Sequence, residues 1–298
     1  MSTLATGVPR APARSATATL RPLALLEARR YATHPLFLLG VVVVALACID
    51  GPDVRTSSVF HAIVPAGAIG LLGIVVMWSL TRRSDAAARA AGAVPVGERS
   101  RTVALASAVC VPFAAGLAWW VWALVTYEAS PPPADGFPFG EADEVGWVAA
   151  VLFGLGPLAC VGGPLLGLLV ARWTTGRAAP AVAVIAVIAT TIVMQGLFEP
   201  LVRVRVVMPW TYWGGPFGAE GWGADQMVVF PGSPQWWVLH VACLSALGLI
   251  LALLHDRERP RRPLLLAGGV VLAVSVAACL LAMWTGIPEI LVNPLTPA

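Results

Sequence analysis

Few side chains in this sequence can do acid–base or ligand chemistry, and those that can are scattered through apolar surroundings. His61, Gln195, Glu199 and His240 stand within or at the ends of long hydrophobic runs. Ionisable groups at such depth are candidates for function, because hydrocarbon tolerates them poorly. His61 and His240 could hold a metal ion only with a further ligand, and Glu199 is the nearest choice. That constellation would suit an enzyme acting at the outer leaflet. Against it, each of these groups falls close to the same interface, where water or packing partners can satisfy it. No carboxylate pair, G-x-S-x-G elbow or H-E-x-x-H helix occurs.

Two absences narrow the chemistry further. All nineteen basic residues are Arg, and a G-x-x-x-x-G-K-[ST] phosphate loop needs a lysine, so the chain has no nucleotide-binding P-loop. The five cysteines, Cys48, Cys110, Cys160, Cys243 and Cys279, all fall inside apolar runs with no C-x-x-C spacing. They read as small core residues, not as a disulfide framework or a zinc site.

The concentrated polar chemistry lies elsewhere, in Thr81 to Arg101 (TRRSDAAARAAGAVPVGERSR). Arg82, Arg83, Arg89, Arg99 and Arg101 surround an alanine-rich stretch. Ser84 is placed to cap a short helix and Asp85 suits its positive end, while Gly92 can close it in a left-handed conformation. A restart follows at Pro95 and Val96. The arginines alone could serve topology; the cap, stop and restart favour a docking element.

The elements that must position these groups are membrane spans. With 298 residues, 58% hydrophobic, 12% charged and a mean hydropathy of +0.81, the chain has too little polar surface to enclose a soluble core. The expected fold is an all-α polytopic membrane protein. A disordered tail covers 1–19, a six-span unit with a leading interfacial helix covers 20–254, and an extra span with an outer tail covers 255–298. Spans are expected at Leu36–Ile49, Ser58–Leu80, Thr102–Thr126, Trp147–Ala171, Ala178–Phe198, Trp236–Leu254 and Leu264–Thr285, all but the short first one near the length a core of ~30 Å requires. Placing the N-terminus inside puts sixteen arginines in inner segments against three outside, Arg55, Arg203 and Arg205, as the positive-inside rule demands. Seven spans leave the C-terminus outside.

Two outer segments differ in kind. Tyr127–Gly146 is acidic and proline-rich and reads as a solvated loop. Leu201–Gln235 carries Trp210, Tyr212, Trp213, Phe217, Trp222 and Phe230, and such rings favour the bilayer interface, so it is expected to dip into the outer leaflet or cap a cavity. In the fourth span Gly163 and Gly167 form a G-x-x-x-G that permits close helix approach, within the molecule or between subunits.

The order of these parts resembles a known family. RPLALLEARRYATHPLFLLG is similar to the amphipathic elbow leading into the first span of ABC transporter permeases of the type-two exporter class, in its E-x-R-R and H-P-L-F steps. DAAARAAGAVPVGERSRTVALASA is similar to the loop between that class's second and third spans. The resemblance implies a permease half: two such subunits, identical or not, with two separate ATPase subunits that bind ATP and Mg. It assigns Glu27, Arg29 and Arg30 to the elbow contact and Asp85, Arg89, Pro95, Glu98 and Arg99 to the coupling loop. Gln195, Glu199, His240 and Trp213, from their place toward the outer interface, are candidates for a translocation path or outer gate. The seventh span departs from the family pattern.

The expected function is therefore the membrane subunit of an ATP-driven exporter, moving an amphiphilic small molecule, lipid or peptide. It holds no cofactor, has no catalytic site or metal of its own, contacts membrane lipids and no nucleic acid, and resides in a bacterial inner membrane. A membrane enzyme at the outer leaflet and a non-transporting scaffold or sensor are the alternatives.

Overall fold

The computed structural model describes residues 16–49, 62–92, 96–129, 141–196, 201, 203–204, 209, 214–216, 226–229, 231–257, 260–288 and 291–294. Eight helical elements carry the fold: α1 (Ala16–Ala32), α2 (Pro35–Ile49), α3 (Ile63–Ala90), α4 (Glu98–Ala129), α5 (Glu141–Phe153, Gly154–Leu158 and Ala159–Trp173), α6 (Ala179–Gln195), α7 (Pro234–Leu253) and α8 (Arg262–Trp284). α1 begins at Ala16, inside the expected tail. Pro35 ends it because the residue before a proline is driven out of the helical region, and α2 leaves at a bend of 56°.

Five helices are long and apolar enough to cross a membrane: α3, α4, α7, α8 and the Gly146–Trp173 part of α5. The bent α1–α2 pair adds a sixth if it is taken as one span. α6, with 17 residues, is shorter than the ~20 that a core of ~30 Å calls for. Together they define a multi-pass helical membrane protein. Its outward faces agree, because Leu39, Val42 and Leu46 on α2, Ile185 and Ile192 on α6, and Leu266 and Val270 on α8 are exposed apolar side chains.

α5 is the centre. Within its apolar window 72% is buried, against 11% for α8. Glycine makes that position possible: a Cβ on Gly163 or Gly167 would run into the backbone of Gly70 or Ile74 on α3. The G-x-x-x-G thus serves packing within the chain. Both α3 and α5 relax into π-helical turns, Ala66–Leu71 and Gly154–Leu158. Each turn lies at a proline, Pro65 or Pro157, whose missing N–H interrupts the regular ladder. The Cys160 thiol reaches the Pro65 carbonyl at 3.8 Å across this contact.

Three expectations are corrected. Ser84 does not cap a separate helix: α3 runs unbroken through it to Ala90, with Thr81 and Ser84 buried against the bundle. Burial of that face and a run of good helix formers outweigh a local capping preference. Only the stop at Gly92, φ 71°, is as expected. The acidic segment Tyr127–Gly146 is not all loop, since α4 extends to Ala129 and helix resumes at Glu141.

The fold is also not purely helical. Strands β1 (Gly214–Pro216), β2 (Gln226–Val229) and β3 (Leu291–Pro294) form an antiparallel sheet in the order β1-β2-β3, with Val228 opposite Val292. The C-terminal tail thereby pairs with the long aromatic segment. The six aromatic residues from Trp210 to Phe230 lie outside the described residues.

Candidate functional site

The site assembles where α3 ends, α4 begins and α5 and α7 end. Arg82, Asp85 and Arg89 recur at i, i+3 and i+7, so α3 presents them on one face. Glu98 and Arg101 do the same in the first turn of α4, which starts after an extended Gly97. Arg172 sits in the last turn of α5, and His255 follows α7. These seven residues line one cavity of about 540 Å³.

At its centre Arg172 Nη1 donates to both oxygens of Asp85, at 2.9 and 3.0 Å. The Arg172 side chain is 2% exposed and that of Asp85 22%. Arg101 Nη2 approaches the same carboxylate at 3.7 Å. A second pair closes the rim, with His255 Nδ1 2.6 Å from Glu98 Oε1. Beside it Trp173 donates its indole N–H to the Leu251 carbonyl at 3.0 Å and meets the His255 ring edge-on.

The pairing is incomplete. Nε and Nη2 of Arg172 and Nε and Nη1 of Arg101 are buried without a hydrogen-bond partner among the described residues, at a cost of about 1–3 kcal/mol for each such group left so. Four arginines face two carboxylates across this cavity, and both carboxylates are already engaged.

α1 packs against the first turns of α4 and against α3 and so adjoins this end of the bundle. Glu27 is 1% exposed; its Oε1 accepts from Arg30 at 2.9 Å while Oε2 has no partner among the described residues. α1 precedes the runs read as spans. Burial pushes the Glu27 carboxyl above the usual carboxylate range, opposed by the Arg30 charge and hydrogen bond. Arg29 and much of Arg30 face outward. At the α1–α2 bend His34 Nδ1 accepts from the Leu36 N–H at 3.3 Å, which leaves Nε2 to donate to Ser79 Oγ on α3 at 3.2 Å.

The structure brings Asp85, Arg89 and Glu98 together around the cavity, with Arg99 half-buried on α4 and Pro95 outside the described residues. Of the expected path residues, Gln195 ends α6 with its side chain undescribed, and Glu199 and Trp213 lie outside the described residues, as does His61 of the enzyme alternative. His240 Nδ1 lies 3.0 Å from both the backbone oxygen and the hydroxyl of Ser275 on α8. Among the described residues no group of three His, Cys, Asp or Glu could hold a metal ion. Sequence reasoning placed Arg101 among the arginines of the docking element without a partner, counted Arg172 only as a topology signal and gave His34 and His255 no role. Their burial and their partners across the fold have no local signature.

The opposite end of the bundle is closed by backbone. Gly232 and Ile287 exchange N–H···O bonds at 2.8 and 3.1 Å, and the Ser233 N–H reaches the Ala282 carbonyl at 2.9 Å. Arg203 donates to the Met283 and Pro288 carbonyls and lies 5.2 Å from the Trp284 ring centroid.

Fold and site define a polytopic helical membrane protein with a polar, arginine-rich cavity at one end of its bundle. No family model, curated protein or solved structure matches this chain.

Proposed function

We infer that the chain is the transmembrane subunit of an ATP-driven exporter of the type-two ABC class, working with a second permease subunit and two separate ATPases that hold ATP and Mg. In this reading α1 is the interfacial elbow and the bundle makes seven spans, with α2 and α6 as short ones. The arginine-rich end faces the cytoplasm of a bacterial cell, and the sheet with the C-terminus faces outward. The observation that carries the reading is the meeting of α1 with the α3–α4 junction. The segment that resembles the elbow packs against α3 and the first turns of α4, the two elements that carry Asp85, Glu98 and Arg101.

On such a surface a docked ATPase has mechanical purchase. α3, α4, α5 and α7 all end at the cavity, and the Asp85–Arg172 and Glu98–His255 pairs tie them together. A push there reaches the central helix α5 and, through the α7–α8 hairpin, the sheet at the far end. Arg29 and Arg30 supply the elbow side of the contact, with the buried Glu27 holding Arg30 in place, and the exposed Arg89 and half-buried Arg99 supply charges on the other.

Capture from native membranes tests this. Exchanging Arg89 and Arg99 for Glu is expected to reduce recovery of a co-purifying ATPase at least ten-fold while the bundle stays folded. Clean recovery of the wild-type chain without any ATPase contradicts it.

A further inference from the structure

A second cavity, of about 330 Å³ and almost wholly apolar, runs between α5 and α7. Leu158, Leu165 and Leu169 form one wall; Val241, Gly248 and Leu251 form the other. Both stripes continue at helical spacing into the polar site. Leu169 is followed one turn on by Arg172, and Leu251 by His255. The groove from Leu158 to Leu169 spans about 16 Å at the helical rise, close to half of a ~30 Å hydrocarbon core and so the depth of one leaflet. Trp173, 55% exposed and bonded to Leu251, marks the level where groove and cavity meet. An exposed indole is at home in the headgroup layer.

We propose that these two cavities form one binding site for an anionic phospholipid, its phosphate among Arg82, Arg89, Arg101 and Arg172 and one acyl chain in the α5–α7 groove. Asp85 and Glu98 oppose an anion least where they already are, on Arg172 and His255. Arg101 holds Asp85 only at 3.7 Å and keeps two N–H groups without partners among the described residues, so it has donors to turn toward a phosphate. The apolar groove explains why the ligand has a tail and not a phosphate group alone. The site requires nothing of the transport reading, and its test needs no ATPase.

The delipidated full chain in detergent is titrated by native mass spectrometry with three probes: dilauroyl phosphatidylglycerol, dilauroyl glycerol lacking the phosphate, and inorganic phosphate. Phosphatidylglycerol is expected to bind saturably, one per chain, well ahead of the other two. Arg101→Gln and, separately, Arg89→Gln are each expected to weaken it about ten-fold, as loss of a charge-assisted bond does. Arg177→Gln, the same charge change on an exposed residue that does not line the cavity, is expected to leave it unchanged. Gly248→Leu fills open space in the groove, since a Cβ there meets nothing within 4 Å, and is expected to weaken the lipid equally. A melting curve on each variant confirms folding.

Equal binding of phosphatidylglycerol to the wild type and all variants shows annular lipid and overturns the proposal. Phosphate binding as tightly as the lipid, with Gly248→Leu silent, shows a free-phosphate site and overturns it too. So does occupancy by a hexaglutamate peptide that phosphatidylglycerol cannot displace, which would make the cavity a seat for a protein partner.

Discussion

Arg172 and Asp85, 87 residues apart in sequence, are joined by two hydrogen bonds of 2.9 and 3.0 Å from a single guanidinium nitrogen. This pair fixes the end of the central helix α5 to the end of α3. Removing one partner strands the other, and breaking a buried pair costs about 3–5 kcal/mol. Arg172→Met is expected at the lower end of that range, because Asp85 keeps some contact with water and with Arg101. Thermal unfolding in detergent measures it. The double variant Arg172→Met/Asp85→Leu is expected to recover only part of the loss, since the mostly buried Arg101 loses the same carboxylate.

Packing of α5 on α3 depends on backbone contact at Gly163 and Gly167. Gly167→Ala is expected to destabilise by about 1–3 kcal/mol or more through overpacking, since the atoms it meets belong to the Ile74 backbone. Gly269→Ala, on α8 with nothing within 4 Å, is expected to stabilise by about 0.5–1 kcal/mol through helix propensity alone. Opposite shifts in melting temperature for two Gly→Ala changes would show that space decides.

Glu27 makes stability depend on pH. Its carboxyl is raised in the folded state by burial, so the folded chain holds the proton more tightly than the unfolded chain. The stabilisation is present below the ordinary Glu range and is lost as pH rises through the raised folded value. Melting temperature is expected to fall across that window for the wild type, and to fall less for Glu27→Gln. An identical profile for both would refute the assignment.

Arg203 is expected to hold the long aromatic segment against the end of α8, through its bonds to Met283 and Pro288. Arg203→Ala should expose the strands around Gly214–Pro216 and Leu291–Pro294 to faster amide exchange, while α3 and α5 exchange as before. Uniform acceleration over the whole chain would show global destabilisation instead.

Five of the seven expected spans were legible because a bilayer imposes a length and demands apolar composition throughout, so α7 and α8 start and end within two residues of the expected Trp236–Leu254 and Leu264–Thr285. Close packing at Gly163 and Gly167 was legible for the same kind of reason, a spacing with one steric meaning. Ser84 misled because capping is a local preference, whereas the helix there is held by burial of Thr81 and Ser84 against the bundle. The Asp85–Arg172 pair and the Glu98–His255 contact were invisible, since 87 and 157 residues separate the partners. The sheet escaped notice because its strands are three or four residues long and β3 comes from the tail beyond α8.

The central claim is that the α1 and α3–α4 surface receives work from a separate ATPase. Purification of the chain from native membranes, followed by ATP hydrolysis in reconstituted vesicles, tests it most directly. The account predicts a co-purifying ATPase whose activity rises with added amphiphile, and whose recovery collapses when Arg89 and Arg99 are both exchanged for Glu. A folded chain that brings down no ATPase, or one whose ATPase recovery ignores those exchanges, would contradict it.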